Sequence, residues 1–208
     1  MPSSPTPADN IDLLIEARWI IPVRPFGVTL ENHAVAISGG NIVAVLPQAE
    51  ARERFTPRKT ERLGEQLLIP GLVNLHTHAA MSLLRGLADD LPLMKWLEEK
   101  IWPLEARLEE EDIYWGTLLC CLEMIKSGTT TFADMYFFMD QAARAVEKAG
   151  LRANLSRGMI GVGPEAQQAL DYGPGFVERW HGGAGGRISV RLGPHAPYTC
   201  PPDYLKKV

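Results

Sequence analysis

From Leu72 onward the sequence repeats one rhythm: a short apolar run, a stretch with helical spacing, and a glycine that stops it. LVNLHTH after Pro70-Gly71 reads as a buried strand, and Asp112–Lys126 is the clearest helix, ended by Gly128. TTTFADMYFF then reads as a strand, DQAARAVEKA as a helix ended by Gly150, and LRANLSRGMI and GRISVRLGPHAPYTC as two more strands. Helical spacing between Glu165 and Trp180 supplies the crossover that joins the last two. Strand, helix, strand in this order builds right-handed βαβ units and therefore a parallel sheet. A barrel of eight such units needs roughly 250 residues. Only about 140 of the 208 residues follow the N-terminal part, so spacing alone leaves open a smaller sheet or an incomplete barrel.

The N-terminal part has a different pattern. Residues 1–10, MPSSPTPADN, read as a disordered lead-in without the charged and apolar regions of a signal peptide. Residues 11–69 read as a small β unit: two β-rich runs turn at Ser38-Gly39-Gly40-Asn41, where glycine supplies the positive φ of a tight hairpin. A polar, helical-looking stretch follows, and then EQLLIPG.

Composition excludes several classes of function. With 46% hydrophobic and 22% charged residues the chain has the balance of an ordinary globular protein. Its net charge of -4 and the absence of a long basic run argue against nucleic acid and anionic membrane as partners. No apolar run approaches the roughly 18 residues of a membrane span. Three cysteines, two of them adjacent at Cys120 and Cys121, cannot form a disulfide framework, which fits a reducing compartment such as the cytoplasm.

The most informative residues are His76 and His78 in NLHTH. In a strand, side chains at i and i+2 point to the same face roughly 7 Å apart, so two imidazoles can converge on one ion. Neutral imidazole suits Zn, Fe, Ni and Cu alike. The pair ends an apolar strand, at the end where parallel α/β folds place ligands. His195 in GPHAPYTC is placed in a comparable way, since a strand-ending Gly-Pro-His is conformationally restricted. Asp134, at another strand end, is a candidate partner for a ligand histidine. Trp96, Trp102, Met81, Met94 and Met135 could pave an apolar pocket, although such spacing also suits a core. Cys200 reads as a small buried hydrophobe, and His33 and His181 as surface residues.

The run IPGLVNLHTHAAMSLLRGLADDLPLMKWLEEKIWPLE, with SGTTTFADMYF and GPHAPYTC behind it, resembles the amidohydrolase superfamily. Within that superfamily it is similar to the hydrolytic deaminases that act on S-adenosylhomocysteine and 5'-methylthioadenosine, from the N-terminal β unit to Val208. The resemblance implies an α/β fold: residues 70–208 as the first half of a (β/α)8 TIM-like barrel, and residues 11–69 as the N-terminal part of a small β-sandwich domain. It also implies that His76 and His78 hold a divalent metal, zinc with iron or nickel as alternatives. Glu105 in WPLE would grip the substrate through ribose hydroxyls, and Arg157 in SRG and His195 would make further substrate contacts. A further arginine that some members carry has no counterpart in GVGPEAQQ.

The implied reaction is metal-assisted hydrolysis at the amine-bearing carbon of a purine, releasing ammonia and the inosine analogue. The third histidine, the general acid/base glutamate with its partner histidine, and the metal-binding aspartate would lie beyond Val208, so residues 1–208 alone are expected to be inactive. The implied partner is a small nucleoside, and the implied assembly of the full-length protein is a homo-oligomer. Alternatives within the superfamily are a triazine chlorohydrolase or a guanine or cytosine deaminase. A non-catalytic barrel scaffold is the alternative outside enzyme chemistry.

Overall fold

A computed structural model describes residues 9–164 and 166–208; most of the lead-in, residues 1–8, and Glu165 lie outside the described residues. The chain divides into two compact units, one reaching to Pro70 and one spanning Gly71–Val208.

The first unit is one five-stranded sheet with a short helix. β1 (Asp9–Ile20) is its centre, β2 (Leu30–Ser38) and β3 (Asn41–Pro47) extend it on one side, and β4 (Phe55–Arg62) and β5 (Leu67–Leu68) line the other edge of β1. β1, β2 and β3 pair antiparallel, whereas β4 and β5 run parallel to β1. Asp9 and Asn10, expected in the lead-in, open β1 because they pair with Phe55 and Thr56. The β2–β3 hairpin turns where glycine requires it, with φ of 56° at Gly39 and 75° at Gly40. Helix α1 (Gln48–Arg54) follows, and its Ala51 packs among Ile11, Leu14, Ala34, Ala36, Leu46 and Phe55. β4 has the charged sequence FTPRKTER, which carries no strand signature. It is a strand because it lies at the sheet edge and needs only β1 as a partner, and such an edge tolerates Pro57.

The second unit is a parallel sheet in the order β10-β8-β7-β6, with β9 also on β8. Its strands are β6 (Leu72–Thr77), β7 (Thr129–Tyr136), β8 (Arg152–Met159), β9 (Ile188–Val190) and β10 (Gly193–Pro194). The long run expected near Ile188–Cys200 is therefore two short pieces, interrupted at Arg191 and Leu192.

Helical structure between β6 and β7 comes in steps. A 3₁₀ turn (Ala79–Leu84) is followed by α2 (Leu93–Trp96), a π turn (Leu97–Ile101), α3 (Trp102–Glu105) and the long α4 (Glu110–Ser127). α4 starts with a capping box between Glu109 and Asp112 and stops at Gly128, whose φ is 82°. α5 (Met139–Ala149) and α6 (Ala166–Trp180) form the later crossovers.

The core lies on the helix-facing side of this sheet. Phe132, Leu155, Ile113, Met139, Val146, Phe176 and Ile188 pack there, all at most 1% exposed. Each such side chain contributes about 1.5–3 kcal/mol by burial. β6 differs from the buried strand expected from its sequence: Leu72, Val73 and Leu75 are 51%, 58% and 77% exposed. The physical reason is position, since β6 is the edge of the sheet and is bonded only to β7. No helix of the described residues is long and apolar enough to cross a membrane.

Candidate metal and substrate site

His76 lies near the end of β6 and His78 just after it, and β7 organises them. Register pairs Thr77 with Asp134, so Thr77 shares the helix-facing side with Asp134, while His76 and His78 have the opposite parity. Their rings meet edge to face with centroids 5.1 Å apart. His78 donates from Nδ1 to the Met135 carbonyl oxygen at 2.7 Å, which leaves its Nε2 lone pair free. Rings at this spacing can each bring a nitrogen within about 2.0–2.1 Å of one zinc, so the pair fits two ligands of such a site. No group of three or more potential metal ligands occurs among the described residues.

Asp134 is 1% exposed and lies under this turn, hydrogen-bonded to the residues on either side of His78 and to neither ring. Its Oδ1 accepts from the Ala79 amide at 2.8 Å. The Thr77 hydroxyl lies 2.9 Å from the same oxygen and 2.8 Å from the Ala133 carbonyl, and shares its one proton between them. Asp134 Oδ2 is buried with no partner among the described residues. Burial raises the Asp134 pKa, against the opposing pull of the Ala79 and Thr77 hydrogen bonds.

Glu105 comes to the same end of the sheet through a residue that spacing does not mark. Its Oε1 accepts a 2.7 Å hydrogen bond from the Tyr136 hydroxyl, and the Tyr136 ring lies 6.2 Å from that of His78. Burial and the Glu105 carboxylate push the Tyr136 phenol far above its ordinary range, so it stays a donor. His195 follows β10, held by its amide on the Met159 carbonyl at 3.0 Å and by its Nδ1 beside Thr199 Oγ1 at 3.0 Å. These residues share the C-terminal end of the parallel strands.

Arg157 is the candidate that the fold places elsewhere. It has the parity of Ala153 and Leu155, both in the core beneath the helices, and its guanidinium lies over the Tyr172 ring of α6 at 5.0 Å. Tyr172 in turn donates to Asp140, which also accepts from Arg179 and Trp180. The aromatic and methionine candidates also scatter. Met81 and Trp96 line a cleft of about 370 Å³ with Arg85 and Ile101, Met135 lies against Gly158, and Met94 and Trp102 are exposed.

Cys200 is buried, and its thiol donates to the Met159 carbonyl. His181 is exposed and its Nδ1 accepts from the Val190 amide, while His33, in the first unit, is half-buried with its Nδ1 on the Glu31 carbonyl.

A parallel α/β sheet with a histidine pair at its C-terminal end defines a class, and the comparisons name it. Residues 67–208 match the amidohydrolase family, and the chain belongs to that family. It is 58% identical to the 5-methylthioadenosine/S-adenosylhomocysteine deaminase of Pelotomaculum thermopropionicum, over 95% of this chain and 46% of the relative. The protein of that name from Syntrophomonas wolfei is 69% identical over 69% of this chain and 33% of its own length. The chain thus spans less than half the length of these curated relatives.

Among solved structures, a zinc-bound adenosine deaminase from Xanthomonas campestris superposes with a TM-score of 0.90 at 42% identity, over 97% of this chain and 47% of that one. An atrazine chlorohydrolase from Arthrobacter aurescens, complexed with zinc, superposes at 0.82 with 20% identity over 94% and 49%, a likeness of fold.

Proposed function

We propose that this sequence, at the full length of its curated relatives, is a zinc-dependent hydrolytic deaminase of adenosine derivatives, with 5'-methylthioadenosine and S-adenosylhomocysteine as substrates. The observation that carries the reading is 58% identity to a deaminase of that name across 95% of this chain, with the histidine pair intact. In this reading Gly71–Val208 is the first half of a (β/α)8 barrel, and the first unit is part of a β-sandwich domain. The protein works in the cytoplasm as a homo-oligomer, on a free nucleoside.

His76 and His78 would hold the divalent ion, with His78 coordinating through Nε2 because Nδ1 is committed to Met135. What zinc would supply in such a site is a large fall in the pKa of bound water, toward about 7. Glu105, fixed by Tyr136, is a carboxylate acceptor suited to ribose hydroxyls and orients the nucleoside. His195 presents a ring at the same strand ends as a polar contact to the base or sugar. Arg157 reaches a substrate only by leaving Tyr172, so its contribution is the weakest of the set.

The test is ammonia release from 5'-methylthioadenosine, S-adenosylhomocysteine, guanine and cytosine, and chloride release from a chlorotriazine, measured side by side on the full-length polypeptide. Turnover of the two adenosine derivatives, lost in His76→Ala, is expected. Turnover of only guanine, cytosine or the triazine would overturn the substrate assignment, and an inert, metal-free protein would make it a scaffold. Glu105→Gln should raise KM for nucleosides about tenfold or more with unchanged zinc content; loss of zinc instead would move Glu105 into the metal shell.

A further inference from the structure

His78 sits at a backbone conformation of φ -126° and ψ 75°, between the strand and the 3₁₀ turn, and its carbonyl accepts the first hydrogen bond of that turn from the Met81 amide at 2.9 Å. That bond holds neither of its neighbours nor its ring. The contacts that do so come from two consecutive residues of β7. Asp134 Oδ1 takes the Ala79 amide at 2.8 Å and lies 2.9 Å from the Thr77 hydroxyl, so one carboxylate oxygen grips the residues immediately before and after His78. The next residue, Met135, accepts the His78 ring itself at 2.7 Å. The side chain sets where the His78 Cα lies, and the neighbouring carbonyl then selects the ring tautomer.

We propose that Asp134 is a positioning residue that fixes the tautomer and aim of His78 by clamping Thr77 and Ala79, without contacting the ring or a substrate. The geometry of the clamp stands without any metal; its functional meaning rests on the proposed metal site. Its grip is rigid because Asp134 is buried between β6, β7 and α4, and Gly116 of α4 brings the helix so close that a Cβ there would lie 2.5 Å from the Ala80 carbonyl oxygen. Asn in place of Asp keeps an Oδ1 acceptor for both donors, whereas Ala keeps none. A role confined to stability would lower stability in Asp134→Ala and leave the His78 tautomer untouched.

The test is long-range ¹H–¹⁵N correlation of the histidine rings in the labelled 208-residue chain at about pH 8, with His78 assigned by its loss in His78→Gln. The wild-type ring should carry its proton on Nδ1 with Nε2 bare, Asp134→Asn should reproduce that pattern, and Asp134→Ala should show averaged tautomers. Thr77→Val, which keeps the Ala79 contact, should show a smaller shift in the same direction and serves if Asp134→Ala fails to fold. Thr117→Val, at a buried hydroxyl outside the clamp, should change nothing at His78. An Nδ1-protonated His78 in Asp134→Ala, or in Thr77→Val where Asp134→Ala does not fold, would overturn the proposal.

Zinc titration of the same substitutions in the full-length polypeptide separates this from the function reading. Zinc should perturb His76 and His78, with apparent affinity about 10- to 100-fold weaker in Asp134→Ala. Rings indifferent to zinc in the wild type would defeat the metal reading and leave the tautomer result standing.

Discussion

Among the described residues each unit buries one carboxylate, and the two are treated in opposite ways. Glu16, on β1 of the first unit and 4% exposed, is met by two arginines: Arg52 at 2.7 and 2.9 Å and Arg62 at 3.1 Å. Arg52, with Arg62 behind it, holds the Glu16 pKa below its ordinary value despite burial. Asp134, in the second unit, has no cation in hydrogen-bond reach among the described residues, only an amide and a hydroxyl, and burial drives its pKa up. A carboxylate that closes a fold is neutralised by bidentate guanidinium. One that is left with an orphan oxygen under a metal-type histidine pair stabilises a local geometry at some expense to the whole.

The largest effect that sharpens this contrast is expected from Arg52→Ala. It leaves the Glu16 carboxylate buried with only Arg62 and should clearly destabilise the first unit, though by less than in a fully buried pair because both guanidinium groups reach solvent. Amide hydrogen exchange within β1, β2 and β4 measures it. Gly116→Ala comes next: the added methyl must displace the Ala80 backbone, at a cost of about 1–3 kcal/mol, and should loosen exchange at Ala79 and along the 3₁₀ turn. A silent Gly116→Ala would mean that the platform under Asp134 is not tightly packed.

The pH dependence should have opposite signs in the two units. Glu16 has a folded pKa below its ordinary 4.5, so its stabilisation is complete above that value and is lost as pH falls through the depressed pKa. The advantage of wild type over Glu16→Gln should therefore shrink in acid. Asp134 has a folded pKa above its ordinary 3.8, so the cost of ionising it is absent at low pH and accrues as pH rises past 3.8 toward the folded pKa. Asp134→Asn should thus gain relative to wild type on raising the pH. Stability profiles of parallel slope in the two variants would break the comparison.

Local chemistry explains what could be read from the sequence. The Ser38–Asn41 turn and the stop of α4 at Gly128 follow from glycine at positive φ, a constraint that needs no tertiary information. The strand, helix, strand rhythm gave the parallel sheet because a helix between two strands favours the right-handed crossover. β4 was not legible, because FTPRKTER is a strand only by virtue of the β1 edge beside it. The exposure of β6 was equally hidden, since an apolar strand looks the same at an edge as in a centre. In the candidate site, His76 and His78 were legible from spacing. The side of the sheet that Arg157 faces could have been found by counting parity from Ala153 and Leu155. Tyr136 and the Asp134 clamp could not, because the first depends on where α3 brings Glu105 and the second on the register between β6 and β7.

The most direct test of the central claim is zinc content by elemental analysis, comparing the full-length polypeptide with its His76→Ala/His78→Ala double variant after identical purification. The account predicts close to one zinc per chain in the wild type and almost none in the double variant. Equal zinc in the two proteins, or none in the wild type after growth with added zinc, would contradict it.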